Sequence, residues 1–242
     1  MNTLELVQTT SPQINGAGAR YYFDEQTVAA GKADLGLDGF RFYVLGRGGV
    51  LGDCEAEVVQ SAFGYFHIDL VRKMWDSGRQ RCAPRDAARA YLACADEYGR
   101  RHLSDVAGLD EFNAAAEAVT GAVHADALPL FAGVAAEPLP DDTPARAYRN
   151  AVVLRELRGS VHLVAIVASG LAPSIAHAIR RPNDVATFGY PDVPLTTDAD
   201  RAALDRADTL TDALMVPMFE VLDEAGREAF AAGAAAIAAA LD

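Results

Sequence analysis

Apolar residues recur three and four apart along most of the chain and period-two alternation is scarce, so the pattern predicts helices rather than strands. Asp53 precedes the run "CEAEVVQSAFGYFHIDLVRKMW", with Glu55 and Glu57 where a first helical turn favours negative charge. Val59, Phe63, Phe66, Leu70 and Met74 share one stripe of that run, which predicts a single long core-facing helix with His67 on its apolar face. Pro84 opens a further helix reaching about His102, and another runs from about Asp110 to Asp126. Thr143 then Pro144 at the start, and Gly170 at the end, bound a helix of about residues 144–169. Its centre is apolar nearly all round, so it belongs in the middle of the fold.

After Pro173 a short helix, "SIAHAIR", leads into "RPNDVATFGYPDVPLT", whose prolines exclude a continuous helix. Residues 198–241 read as two helices divided near Pro217 to Asp223. Pro12, Gly16 and Gly18 make residues 1–20 a flexible, loosely held arm, and "FRFYVLG" is too short to assign as strand or helix. The expected fold is mainly α: a helical bundle around the central buried helix. Residues 21–172 would form a small-molecule-pocket domain and residues 173–242 a C-terminal helical region.

The chain has 242 residues, 51% of them apolar and 23% charged, enough to bury a sizeable core. A net charge of -13 repels polyanions and disfavours nucleic acid as a partner. Arg79, Arg81, Arg85 and Arg89 lie close in sequence and read as a solvated helix face rather than a binding patch. Cys54, Cys82 and Cys94 have no metal-type spacing, and three cysteines suggest no disulfide framework, so a reducing cytoplasm is the expected compartment. The first residues lack a secretory pattern, and no run reaches the ~18 consecutive apolar residues of a membrane span, so no membrane partner is expected. A homodimer is compatible with the chain.

One stretch stands out chemically. "RELRGSVHLVAIVASG", residues 155–170, places Arg155, Arg158 and His162 on one face of the central helix, at spacings of three and four. Buried charge must be matched by internal carboxylates or line a wet cavity, and both readings stay open here. Gly159 costs a helix interior about 1 kcal/mol relative to alanine and would let a partner approach the backbone. With His67, arginines and Tyr65 from the other long helix, these groups would make a polar pocket in an apolar bundle, the usual chemistry of a small-molecule site. No HExxH, Glu-x-x-His or paired Cys/His cluster appears, so no metal is expected. "GRGGVLG" is neither a Walker loop nor a dinucleotide fingerprint, and Ser160 has no G-x-S-x-G context, so no cofactor and no serine hydrolase are expected.

The blocks "RYYFDEQTVAAGKADLGLDGFRFYVLGRGGVLG", "VVQSAFGYFHIDLVRKMW", "LPLFAG" and "LRELRGSVHLVAIVASGLAP" resemble those of an actinobacterial family of helix-turn-helix or winged-helix proteins related to MarR-type regulators. The resemblance implies functional positions at Tyr22, Phe23, Gly46, Arg47, His67, Arg155, Arg158, Gly159 and His162. It also implies a winged helix-turn-helix after the central helix, whereas "RRPNDVATFGYPDVPLT" is too short and proline-rich for a recognition helix, so the C-terminal region reads as a degenerate winged helix.

The candidate catalytic groups are therefore His67, His162 and Arg158, with Tyr22, Phe23, Arg47, Phe63, Tyr65, Arg155 and Gly159 as ligand-binding residues. The favoured function is a cofactor-independent acid/base enzyme of specialised metabolism, a lyase, cyclase or isomerase acting on a largely apolar metabolite, with imidazole as the proton carrier. The alternative is a ligand-binding or regulatory protein derived from a winged-helix sensor.

Overall fold

A computed structural model describes residues 1–242 and contains twelve α-helices and no strand. In chain order they are α1 (Thr3–Ala17), α2 (Glu25–Leu35), α3 (Gly39–Gly48), α4 (Ala56–Phe63), α5 (Ile68–Arg79) and α6 (Pro84–Leu103). They continue as α7 (Leu109–Gly121), α8 (Pro129–Ala135), α9 (Thr143–Ala168), α10 (Pro173–Arg180), α11 (Asp198–Phe219) and α12 (Glu224–Leu241). No single helix is long and apolar enough to cross a membrane.

Helix α9 is the expected central rod. Asp142 caps it by accepting from the Ala145 N–H, Pro144 sits in its first turn, and Gly170 follows its end at φ 73°. It packs against α1, α6, α7, α8 and α11, and residues such as Tyr148, Ala151, Leu154 and Leu157 are almost wholly buried. The mainly α bundle is as the periodicity indicates, and the C-terminal region has no strand to serve as a wing.

Two local expectations are corrected. The N-terminal arm is helix α1, locked by an Asn2–Glu5 capping box, with Leu6, Val7 and Ile14 buried against α9, α11 and α12. Pro12 is tolerated because it and Gln8, whose carbonyl it leaves without a helical partner, both face solvent. The single helix expected from Asp53 to Trp75 is two, α4 and α5, parted by residues 64–67. Gly64 adopts φ 74°, and His67 accepts from the Asp69 N–H to cap α5.

The ambiguous "FRFYVLG" is helical, within α3. The glycine run after it brings backbone close to α6: a Cβ on Gly49 would stand 2.0 Å from the Pro84 carbonyl oxygen.

The apolar interior has two parts. The main core crosses the expected boundary at residue 173, since Met215, Phe219, Phe230 and Ile237 join it from α11 and α12. A second core of seven residues forms where the end of α9 meets α10 and the start of α11, through Ala165, Ile166, Leu171, Ala176, Ala203, Leu204 and Ala207.

Candidate functional site

Between the two cores lies a cavity of about 490 Å³. Ala62, Phe63, Phe66 and Leu130 reach it from the main core, and Ala176 and Leu204 from the second. Its volume falls within the ~300–1,000 Å³ of small-molecule sites. The α9 face predicted from spacing is one wall, with Arg155, Arg158, Gly159 and His162 all exposed to the hollow. Gly159 makes no close packing there. A Cβ built on it meets nothing within 4 Å, so the room the glycine leaves beside the backbone is open space.

Arg47 lines the cavity from α3 and is anchored behind it. Its Nε and Nη2 donate to the two carboxylate oxygens of Glu156, both at 2.8 Å, and Glu156 also accepts from the Tyr22 hydroxyl at 2.9 Å. Burial alone would push the Glu156 carboxyl up, but the charges of Arg47 and Arg155 and the bonds from Arg47 and Tyr22 hold it below its usual range. Arg155 donates to the Tyr22 hydroxyl at 3.0 Å and to the Asn15 carbonyl at 3.1 Å. Both partners are neutral, and Arg155 makes no direct bond to Glu156.

One turn on, Arg158 has its nearest carboxylate, Asp212, at 3.9 Å, and its buried Nε has no partner. Burial presses its guanidinium below the ordinary arginine value, partly offset by Asp212 and Asp208.

His162 is a neutral imidazole. Burial and then Arg158 lower it to about 4. The Thr211 hydroxyl, 2.9 Å from His162 Nδ1, is committed to the Ala207 carbonyl at 2.6 Å. Nδ1 therefore carries the proton and donates, which leaves Nε2 as a bare acceptor. Across the cavity stand two further buried polar atoms without partners, the Tyr65 hydroxyl and His177 Nε2. The His177 ring packs on Phe188 with centroids 3.9 Å apart, and Phe188 stacks on Phe66 at 4.2 Å and 14°.

Seven of the ten expected residues thus line one cavity: Arg47, Phe63, Tyr65, Arg155, Arg158, Gly159 and His162. Three do not. His67 is outside the lining, capping α5 with its ring edge on Tyr190, so it does not share the hollow with His162. Tyr22 is buried behind the wall as a prop for Arg155 and Glu156. Phe23 is 54% exposed and is not in the lining, stacking instead on Phe40 and on Tyr43, which does line the cavity. The stripe expectation for His67 failed because the helix breaks just before it.

His177, Arg180 and Arg181 were not foreseen, although "HAIRR" sets two guanidinium groups three and four residues after an imidazole. The arginines expected on a solvated face are mostly ion-paired: Arg79 with Asp53, and Arg85 and Arg89 with Glu137.

The cavity is built at a corner. Helices α9 and α10 are bent by 111° across residues 169–172, with Gly170 at positive φ, which is the geometry of a helix-turn-helix. Yet α10 has only eight residues, Ala176, His177 and Ala178 of which are buried. The segment after it, as the proline content indicates, holds only a 3-10 turn at Pro182–Asp184. No curated protein and no solved structure gives a match to the chain. A helix-turn-helix family matches residues 8–195, which take in every helix from α2 to α10 and all of the cavity lining except Leu204 and Asp208 of α11, and the chain belongs to that family.

Proposed function

We propose that the protein is a small-molecule receptor of its helix-turn-helix family, kin to MarR-type regulators, which holds a metabolite in the cavity at the α9–α10 corner. The observation that carries this reading is the inward turn of that corner: its second helix gives His177 and Arg180 to the hollow instead of presenting a helix to solvent. A reader of base edges needs such a helix free for the major groove. The charge of -13 and the pairing of the surface arginines favour a small molecule over nucleic acid as the partner.

The acid/base reading rests on His67 and His162 acting together. With His67 elsewhere, and with His177, the second imidazole of the lining, packed against the Phe188 ring, holding a ligand is better supported than transforming one. Native mass spectrometry of freshly purified protein tests the proposal. A small molecule that leaves on denaturation is the expected result. A ligand-free protein retained on duplex DNA, and released steeply by salt, would overturn it.

A further inference from the structure

Resting on the receptor reading, we propose that the ligand is a monoanionic organic acid with an apolar body. Its oxyanion would sit against Arg155 and Arg158, and its body against the Phe66–Phe188–His177 stack.

The charge balance points to the sign. Arg47, Arg155, Arg158, Arg180 and Arg181 line the cavity, and Asp208 is the one carboxylate among the lining residues. Glu156 answers Arg47, Asp208 is bonded to Arg180, Asp212 stands near Arg158, and Asp184 stands near Arg181. One positive charge is left over, and the guanidinium with no salt bridge is that of Arg155. His162 is neutral and does not add to it. A single negative charge therefore balances the wall, and two would overshoot.

Hydrogen bonding points to the same head group. The Arg158 side chain lines the hollow one turn from Arg155 with its nearest carboxylate 3.9 Å away, and the bare backbone at Gly159 leaves room beside both. Guanidinium groups suit oxyanions because their planar N–H forks match the two oxygens of a carboxylate. The body is set by the apolar wall, where Phe188 is held between Phe66 and His177 and Phe63 and Leu130 continue the surface. An apolar body is favoured against such a wall by the carbon surface it removes from water.

Four probes of one shape separate the possibilities: 1-naphthoate, 1-naphthalenemethanol, 1-naphthylmethylammonium and 1-naphthyl phosphate. Titration calorimetry with the full chain should find naphthoate bound at least tenfold more tightly than the alcohol, with the phosphate dianion weaker than naphthoate and the ammonium weakest. Arg158→Met, whose fold is checked by circular dichroism, should lower naphthoate affinity at least tenfold and leave the alcohol unchanged. Equal binding of acid and alcohol, or preference for the ammonium or the dianion, overturns the charge assignment while the receptor reading stands. Failure of all four to bind, in a protein that also carries no ligand by native mass spectrometry, overturns both.

Discussion

Glu156 and Arg47, 109 residues apart in sequence, meet as a forked ion pair in which the carboxylate is 2% exposed. Tyr22 and Arg155 close the group around the same carboxylate. Removing one member of a buried pair strands the other, which costs ~3–5 kcal/mol. Glu156→Gln should therefore lower unfolding stability by about that much in urea titrations, because Arg47 loses its counter-charge. A change below about 1 kcal/mol would mean the pair is not held as described.

The same carboxyl sets an acid limb. Its folded value lies below its unfolded one, so its contribution is present above the unfolded carboxylate value and is lost as pH falls through the folded value. In Glu156→Gln the fall in stability between about pH 5 and pH 3 should be shallower than in the parent.

His162 acts over a different window. Lowered to about 4 in the fold, it binds protons more readily unfolded, so its contribution is complete above the ordinary histidine value and fades as pH falls from about 6.5 towards 4. His162→Gln should flatten the stability profile over that window. Naphthoate affinity of the parent protein should stay level between about pH 6 and 8, since the imidazole is neutral throughout.

Gly159 trades stability for space. Alanine there meets nothing within 4 Å and gains helix propensity, so Gly159→Ala should raise unfolding stability by about 0.5–1 kcal/mol. Gly159→Leu should fill the hollow beside Arg155 and Arg158 and abolish naphthoate binding. Calorimetry that found full affinity in the leucine variant would place the ligand elsewhere.

Gly64 holds the break between α4 and α5. A Cβ there would lie 2.5 Å from the Leu163 Cδ1 atom, at a backbone angle that side chains rarely adopt. Gly64→Ala should lower stability by about 1–3 kcal/mol, read from thermal unfolding. His67→Ala, by contrast, removes only a cap, should cost about 1 kcal/mol, and should leave naphthoate binding intact.

These positions mark what the sequence discloses. The central helix was legible nearly to the residue because cap, proline and stop glycine all agree with its apolar interior. So was the polar wall, since spacings of three and four within a helix fix which side chains share a face. The α4–α5 break was hidden because Phe63 before it, Phe66 within it and Met74 after it are all buried, and the apolar stripe runs through in phase. Helix α1 was hidden because its proline and glycines argue locally for a loop, whereas distant apolar partners in α9, α11 and α12 decide the outcome. The contribution of α10 depended on a 111° bend that periodicity does not encode.

The second apolar core has a mechanical consequence. With the polar hollow running between it and the main core, the molecule has a seam along which α10 and the first turns of α11 can shear while the larger cluster stays sealed. Entry to the interior then requires only sub-global opening, and amide protons of α10 should exchange with solvent well before those in the middle of α9. An occupant touching both sides of the seam would act as a rivet, making the smaller lobe as slow to exchange as the rest.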